Sequence, residues 1–124
     1  MAVSLTPLLA PRHVAVVGAS PDRTRIRGRL LHVLRSKGFT GAVHAVNPSY
    51  GRIDDLPCHP SVAAIGQPVD AALIAVPGDR VLGELRRCAQ AGVKAAIVYS
   101  SLPPGADADQ AAIRHLAEET AKGL

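Results

Sequence analysis

Four short runs that are apolar at nearly every position restrict the fold of this chain more than any other feature: His13–Val17, Ala42–Val46, Asp70–Val76 and Ala95–Tyr99. They are too short for helices, rich in valine and alanine, and do not alternate polar with apolar, which is the pattern of strands buried on both faces of a parallel sheet. Parallel strands need crossover connections, and the intervening segments supply them. Ile26, Leu30, Leu31, Val33 and Leu34 recur in steps of three and four, predicting a helix over about 25–37 with Gly38 at its C-terminal cap. Val81, Leu82, Leu85, Cys88 and Ala89 form a second stripe, with Asp79 as its N-cap and Gly92 at its end. A last helix is expected over about 107–122, carrying Ala111, Ile113, Leu116 and Ala117.

The middle of the chain is looser. Tyr50–Ile53 reads as a turn, Leu56-Pro57-Cys58 as a short edge strand, and Ser61 as the N-cap of a short helix through Ile65. Together these signals predict an α/β fold, an open doubly wound parallel sheet in a three-layer αβα arrangement of the Rossmann-like kind. The 124 residues fit a single domain, 1–124. Because Lys122-Gly123-Leu124 spells a helix end where a further strand would follow, the chain is expected to be a fragment of a longer one. In such sheets ligands sit outside the carboxyl ends of the strands, where strand order reverses. The turns Gly18–Arg25, Val46–Arg52, Val76–Asp79 and Tyr99–Leu102 are therefore expected to line one edge.

The first of these turns carries the sharpest chemical hint. Val14-Ala15-Val16-Val17 runs into Gly18-Ala19-Ser20-Pro21, and the segment after it is rich in arginine. A glycine lets the backbone turn sharply and approach an anion, and the following helix adds the positive end of its dipole. A plain tight βα turn fits the same residues equally well. A G-x-G-x-x-G fingerprint from Gly18 would need glycines where Ser20 and Arg23 stand, and a P-loop would need Gly-Lys where Arg23 and Thr24 stand, so neither motif is present. Charge is unevenly spread. Residues 1–53 hold eight Lys or Arg against the single acid Asp22, and the rest of the chain holds six against nine acids, for a net +4. The positive field thus surrounds the proposed anion turn.

Other function classes find little support. Phe39, Tyr50 and Tyr99 are the only aromatics, too few for base stacking, so nucleic acid is not an expected partner. No segment approaches the ~18 apolar residues of a membrane helix, no secretory signal opens the chain, and Cys58 and Cys88 match no metal spacing. A cytoplasmic setting is expected, with no metal. The histidines at 13, 32, 44, 59 and 115 form no H-x-x-x-H step, no G-x-S-x-G elbow is present, and no catalytic residue is assigned. At the end of the second strand, where NAD-binding sheets place a ribose-binding acid, the chain reads Val46-Asn47-Pro48. The missing carboxylate favours a phospho-adenosine ligand such as coenzyme A or NADP, with Arg52 or the arginines at 23, 25 and 27 available to pair with it. A simple strand stop is the alternative.

Read in order, Leu9–Pro21, Gly38–Val43 with Val46-Asn47-Pro48, Leu56–Val62, Val69–Pro77 and Ala91–Ala96 resemble the N-terminal CoA-binding domain of NDP-forming acyl-CoA synthetases. These enzymes are similar to the α subunit of succinyl-CoA synthetase. The resemblance implies that Gly18, Ala19 and Ser20 face the CoA phosphates, that Val46, Asn47 and Pro48 lie by the adenosine, and that Val76, Pro77, Ser100 and Ser101 lie toward the pantetheine. It also implies downstream ligase domains or an ATP-grasp subunit as partners, and it is compatible with a homo-oligomer. The transferable phosphohistidine of that family belongs to a following domain, so none of the histidines here inherits the role. Where the family has a second glycine-rich stretch this chain has Thr24–Gly28, leaving phosphate contact either to backbone amides or to the side chains of Arg23 and Arg25. Where the family has a Gly-Phe pair this chain has Leu102-Pro103. Two other readings remain: a regulatory CoA-binding module such as one fused to a protein acetyltransferase, and an NAD(P)-binding domain.

Overall fold

The computed structural model describes residues 10–37 and 39–99. Six strands, two α-helices and two short 3-10 turns follow one another: β1 (His13–Val17), α1 (Ile26–Ser36), β2 (Ala42–Val46), β3 (Arg52–Ile53), β4 (Leu56–His59), a 3-10 turn at Ala63–Ile65, β5 (Ala71–Ile74), a 3-10 turn at Gly78–Arg80, α2 (Val81–Gln90) and β6 (Ala95–Val98). The sheet order is β3-β4-β2-β1-β5-β6. All pairings are parallel except β3 with β4, where Arg52 faces Pro57 and Ile53 faces Leu56. Counting the parallel strands alone, the order across the sheet is third, second, first, fourth, fifth, the Rossmann-like doubly wound arrangement.

Register explains the uninterrupted apolar runs. Val14 and Val16, with Ala45, Cys58, Ala71 and Leu73, face one side and pack with Leu31 of α1. Ala15 and Val17, with Val46, Ala72 and Ile74, face the other side and meet Val62, Ile65, Val69, Val93 and Cys88 of α2. Each central strand is covered on both faces, so no position along it can be polar without cost. Small residues dominate this core. Ala15, Ala45 and Ala72 are fully buried, which lets the helices lie close to the sheet.

Several local expectations need correction. Leu56–His59 is not the edge of the sheet, because residues read as a turn, Arg52–Ile53, pair outside it as β3. A two-residue strand is too short to show a sequence period. Asp79 does not cap α2; it lies within the preceding 3-10 turn, and the capping position is Arg80, with no side-chain bond. Ile26 and Val33 of the α1 stripe are exposed, so only Leu30, Leu31 and Leu34 reach the core. Ser61 accepts a bond from the Ala64 amide, at 3.3 Å, but the capping position of the short 3-10 turn is Val62 and not Ser61. Gly92 ends α2 with φ +80°. Gly38, Ser100, Ser101, the Leu102-Pro103 pair and the helix expected over 107–122 lie outside the described residues.

At the amino end of the sheet, Asp70 holds three elements together. Its Oδ2 accepts from the amides of Arg12, at 2.8 Å, and His13, at 3.0 Å, while Oδ1 lies 3.7 Å from Lys94 Nζ. The Arg12 amide, then that of His13, keep this carboxyl below the usual carboxylate range. The opposite end of the sheet is where the strands open toward solvent.

Candidate functional site

A groove of about 370 Å³ runs along the carboxyl edge, at the point where the chain leaves β1 for one side of the sheet and β5 for the other. Its floor is Val17 and Gly18 after β1, Val46, Asn47 and Pro48 after β2, Pro60 after β4, and Val76 and Pro77 after β5. One long wall is α2 with the turn before it: Asp79, Arg80, Gly83, Glu84 and Arg87.

Gly18 makes the floor possible. Its φ is +87°, and a Cβ there would stand 2.5 Å from the Ala75 carbonyl oxygen. A side chain would meet both backbone strain and a collision with the end of β5. The amides of Gly18 and Ala19 both donate to the Val46 carbonyl, at 2.8 and 3.2 Å. Asn47 braces the same turn from below: its Nδ2 donates to the Ala19 carbonyl at 2.9 Å, and its Oδ1 accepts from the Ser49 amide at 2.9 Å. Ser20 is buried, and its hydroxyl oxygen accepts from the Asp22 amide. The Thr24 amide donates to Asp22 Oδ1 in turn. The turn is thus stitched into the sheet by its own N–H groups.

Gly28 explains how α1 approaches. A Cβ there would collide with the Asp22 carbonyl, so the first turn of α1 rests directly on the backbone leaving the glycine turn. That close packing is the third role glycine plays in dinucleotide-binding turns. It stands here at an unfamiliar spacing.

Of the residues singled out in the sequence, Gly18, Val46, Asn47, Pro48, Val76 and Pro77 come together in the groove. Ala19 and Ser20 are buried and do not line it; Ala19 belongs to the core on the α1 side and Ser20 lines a separate hollow. Arg23 points elsewhere, into a separate hollow of about 190 Å³ beside Ser20, Gly28 and His32, with its guanidinium 3.5 Å from Asp54. Arg25 pairs with Asp22 at 3.5 Å. Arg52 is exposed on β3 and lines neither hollow. The groove instead carries two arginines the sequence did not single out, Arg80 and Arg87. Arg87 is held by Glu84 at 2.8 Å, whereas Arg80 makes no ion pair among the described residues. A signal was present: Gly83 sits in mid-helix, where glycine costs about 0.5–1 kcal/mol against alanine, on the same helical face as Arg80 and Arg87.

His13 Nδ1 and His44 Nε2 lie 3.1 Å apart with stacked rings, and His59 tilts against His44 at 6.3 Å between centroids. Burial, and then the neighbouring imidazoles, hold His44 below its ordinary value. Burial raises both thiols, Cys88 to about 11, and neither forms a disulfide. Among the described residues no group of three metal-ligating side chains converges, and no helix is long and apolar enough to cross a membrane.

A Rossmann-like sheet with an open groove at its switch point defines a nucleotide-binding class of domain. Comparison with known proteins narrows it: residues 12–124 match the CoA binding domain model, and the chain belongs to that family. Acetate–CoA ligase (ADP-forming) II of Archaeoglobus fulgidus is 39% identical over 97 residues, covering 78% of this chain and 14% of the relative. The dinucleotide-forming acetyl-coenzyme A synthetase 1 of Candidatus Korarchaeum cryptofilum, solved with phosphate and ADP, superimposes with a TM-score of 0.89 at 36% identity, covering 96% of this chain and 26% of that one. A conserved hypothetical protein from Pyrococcus furiosus gives a TM-score of 0.71 at 32% identity, covering 89% of this chain and 88% of that protein. The chain thus aligns with a CoA-binding part of such ADP-forming ligases and spans about a seventh of the length of the curated relative.

Proposed function

We propose that this chain binds coenzyme A in the carboxyl-edge groove and serves as the CoA-binding part of an NDP-forming acyl-CoA synthetase, which converts a carboxylic acid, CoA and a nucleoside triphosphate to acyl-CoA, the nucleoside diphosphate and phosphate. The observation that carries the reading is the position of the groove at the switch point of a CoA-binding-family sheet. Gly18 keeps the end of β1 free of side-chain bulk, so a phosphorylated ligand can lie across the sheet edge. Val46, Asn47 and Pro48 offer the adenosine an uncharged shelf with no carboxylate of its own to repel a 3′-phosphate. Val76 and Pro77 continue that shelf toward the pantetheine. Ser100 and Ser101 complete the candidate set.

This portion binds and orients CoA; the acyl-phosphate and phosphohistidine chemistry belongs to downstream ligase domains or an ATP-grasp subunit, in the cytoplasm. Calorimetric titration with CoA, dephospho-CoA and NADP tests it. Saturable CoA binding that NADP does not displace is the expected result. A folded chain that ignores CoA, or prefers NADP, overturns it. One observation favours a second reading, a CoA-binding module acting without ligase domains: the P. furiosus protein is matched over nearly its whole length. ADP formation from ATP, acetate and CoA when the chain is joined to the downstream ligase domains and an ATP-grasp partner separates the two.

A further inference from the structure

We infer that α2 forms the second wall of the CoA site, with Arg80 as a contact for the ligand's phosphates and Gly83 as the gap that lets the ligand lie against the helix. The inference rests on the proposed CoA reading and adds residues to it that neither the glycine turn nor the family resemblance supplied.

Two independent features point to this wall. The first is a shortage of donors on the floor. The amides of Gly18 and Ala19 are spent on Val46, those of Asp22 and Thr24 on side chains within the turn, and Pro21 has none, which leaves the turn those of Ser20 and Arg23. Arg23 and Arg25 face Asp54 and Asp22. The turn thus offers a phosphate few amides and no uncommitted arginine, and a cationic side chain for it is found across from the turn. Arg80 lines that side, is exposed, and has no ion-pair partner among the described residues. Guanidinium suits phosphate because its planar fork can donate two parallel bonds and sheds water readily. Asp79 and Glu84 share the wall; Glu84 is engaged by Arg87 at 2.8 Å, and Asp79 and Arg80 make no ion pair among the described residues, so Arg80 is the wall's cation available to a phosphate.

The second feature is a glycine without a packing reason. Gly18, Gly28 and Gly41 each sit where a Cβ would strike backbone, whereas a Cβ on Gly83 would meet nothing within 4 Å. Its backbone is helical, so the residue is not needed for a turn. It is nonetheless the poorest helix former short of proline, placed inside a ten-residue helix and facing the groove. Open space there is useful when something else occupies it.

The test pairs stability with affinity in the full chain, by thermal melting and by calorimetric titration with CoA and dephospho-CoA. Gly83→Leu should raise the melting temperature by about 3 °C through better helix propensity. It should also weaken CoA binding at least about tenfold by filling the gap. Opposite signs in the two readouts are what a merely structural glycine would not give. Arg80→Gln should leave melting within about a degree and weaken binding by about tenfold, more at low salt. Loss with both ligands assigns Arg80 to the pyrophosphate, and loss with CoA alone assigns it to the 3′-phosphate. Unchanged affinity in a folded Gly83→Leu chain, or in Arg80→Gln, overturns the wall. Should Gly83→Leu fail to fold, Gly83→Gln gives the same readout with a side chain that solvent tolerates. Absence of CoA binding by the unaltered chain overturns the underlying reading, and the wall with it.

Discussion

At the amino end of the sheet Asp70 accepts two amides and meets Lys94, so three separate segments converge on one carboxylate. At the carboxyl end the backbone is braced through Val46 and Asn47, Glu84 and Arg87 are the charged groove residues that pair, and Arg80 finds no opposite charge among the described residues. The first arrangement is what stability alone selects: polar groups used up on one another. The second fixes its turn through backbone bonds and Asn47 and leaves the Arg80 guanidinium uncommitted, as a site that must hold a ligand requires.

The contrast can be broken by substitution. Gly28→Ala carries the largest expected effect, about 3 kcal/mol of lost stability, because the new methyl meets the Asp22 carbonyl and must push α1 off the turn. Denaturant unfolding measures it, and CoA binding should fail with the fold. Asn47→Ala should cost about 2 kcal/mol, since it unpairs the Ala19 carbonyl and the Ser49 amide. Affinity measured on the remaining folded protein should drop as well, which separates the groove end from the amino end.

Asp70→Asn should cost about 1.5 kcal/mol, because one oxygen that accepts both amides loses its charge. It should leave CoA affinity unchanged. The carboxyl is held below its ordinary value when folded, so its stabilisation is present at neutral pH and lost as pH falls below about 3.8 and through the folded value. The variant should therefore show a shallower stability loss in that acid range.

The smallest effect is expected at His44. Its folded value lies below the ordinary 6.5, so the unfolded chain binds the extra proton first, and stability declines as pH drops below 6.5. His44→Gln should flatten the part of the stability profile just below 6.5. An unchanged slope there would show that the stacked imidazoles do not control it.

How much of this was legible in the sequence differs between floor and wall. The strands were readable because burial on both faces writes itself as uninterrupted valine and alanine, and the floor followed from the rule that ligands gather at strand ends. Arg80, Gly83 and Arg87 were not singled out, because a polar stripe on a helix reads equally well as a solvated face; Gly83, unhelpful to its helix, was the one visible clue. The arginines at 23 and 25 looked like phosphate ligands by proximity in sequence. Whether Arg23 would meet an acid depended on Asp54, 31 positions away, brought near by a hairpin whose two-residue strand carries no readable period. Asp70 was readable only as the start of a strand, since its partners lie 57 and 58 positions earlier.

The two cysteines occupy opposite layers of the molecule, Cys58 on β4 in the core under α1 and Cys88 on α2 itself, in the core on the other side of the sheet. Both thiols stay protonated near neutral pH, Cys88 with a value of about 11, so an alkylating reagent should reach them only when their layer opens. The chain thus carries a pair of built-in probes. Timed labelling at each position would report how often either side of the sheet lifts away from its helix, and whether CoA slows one side more than the other.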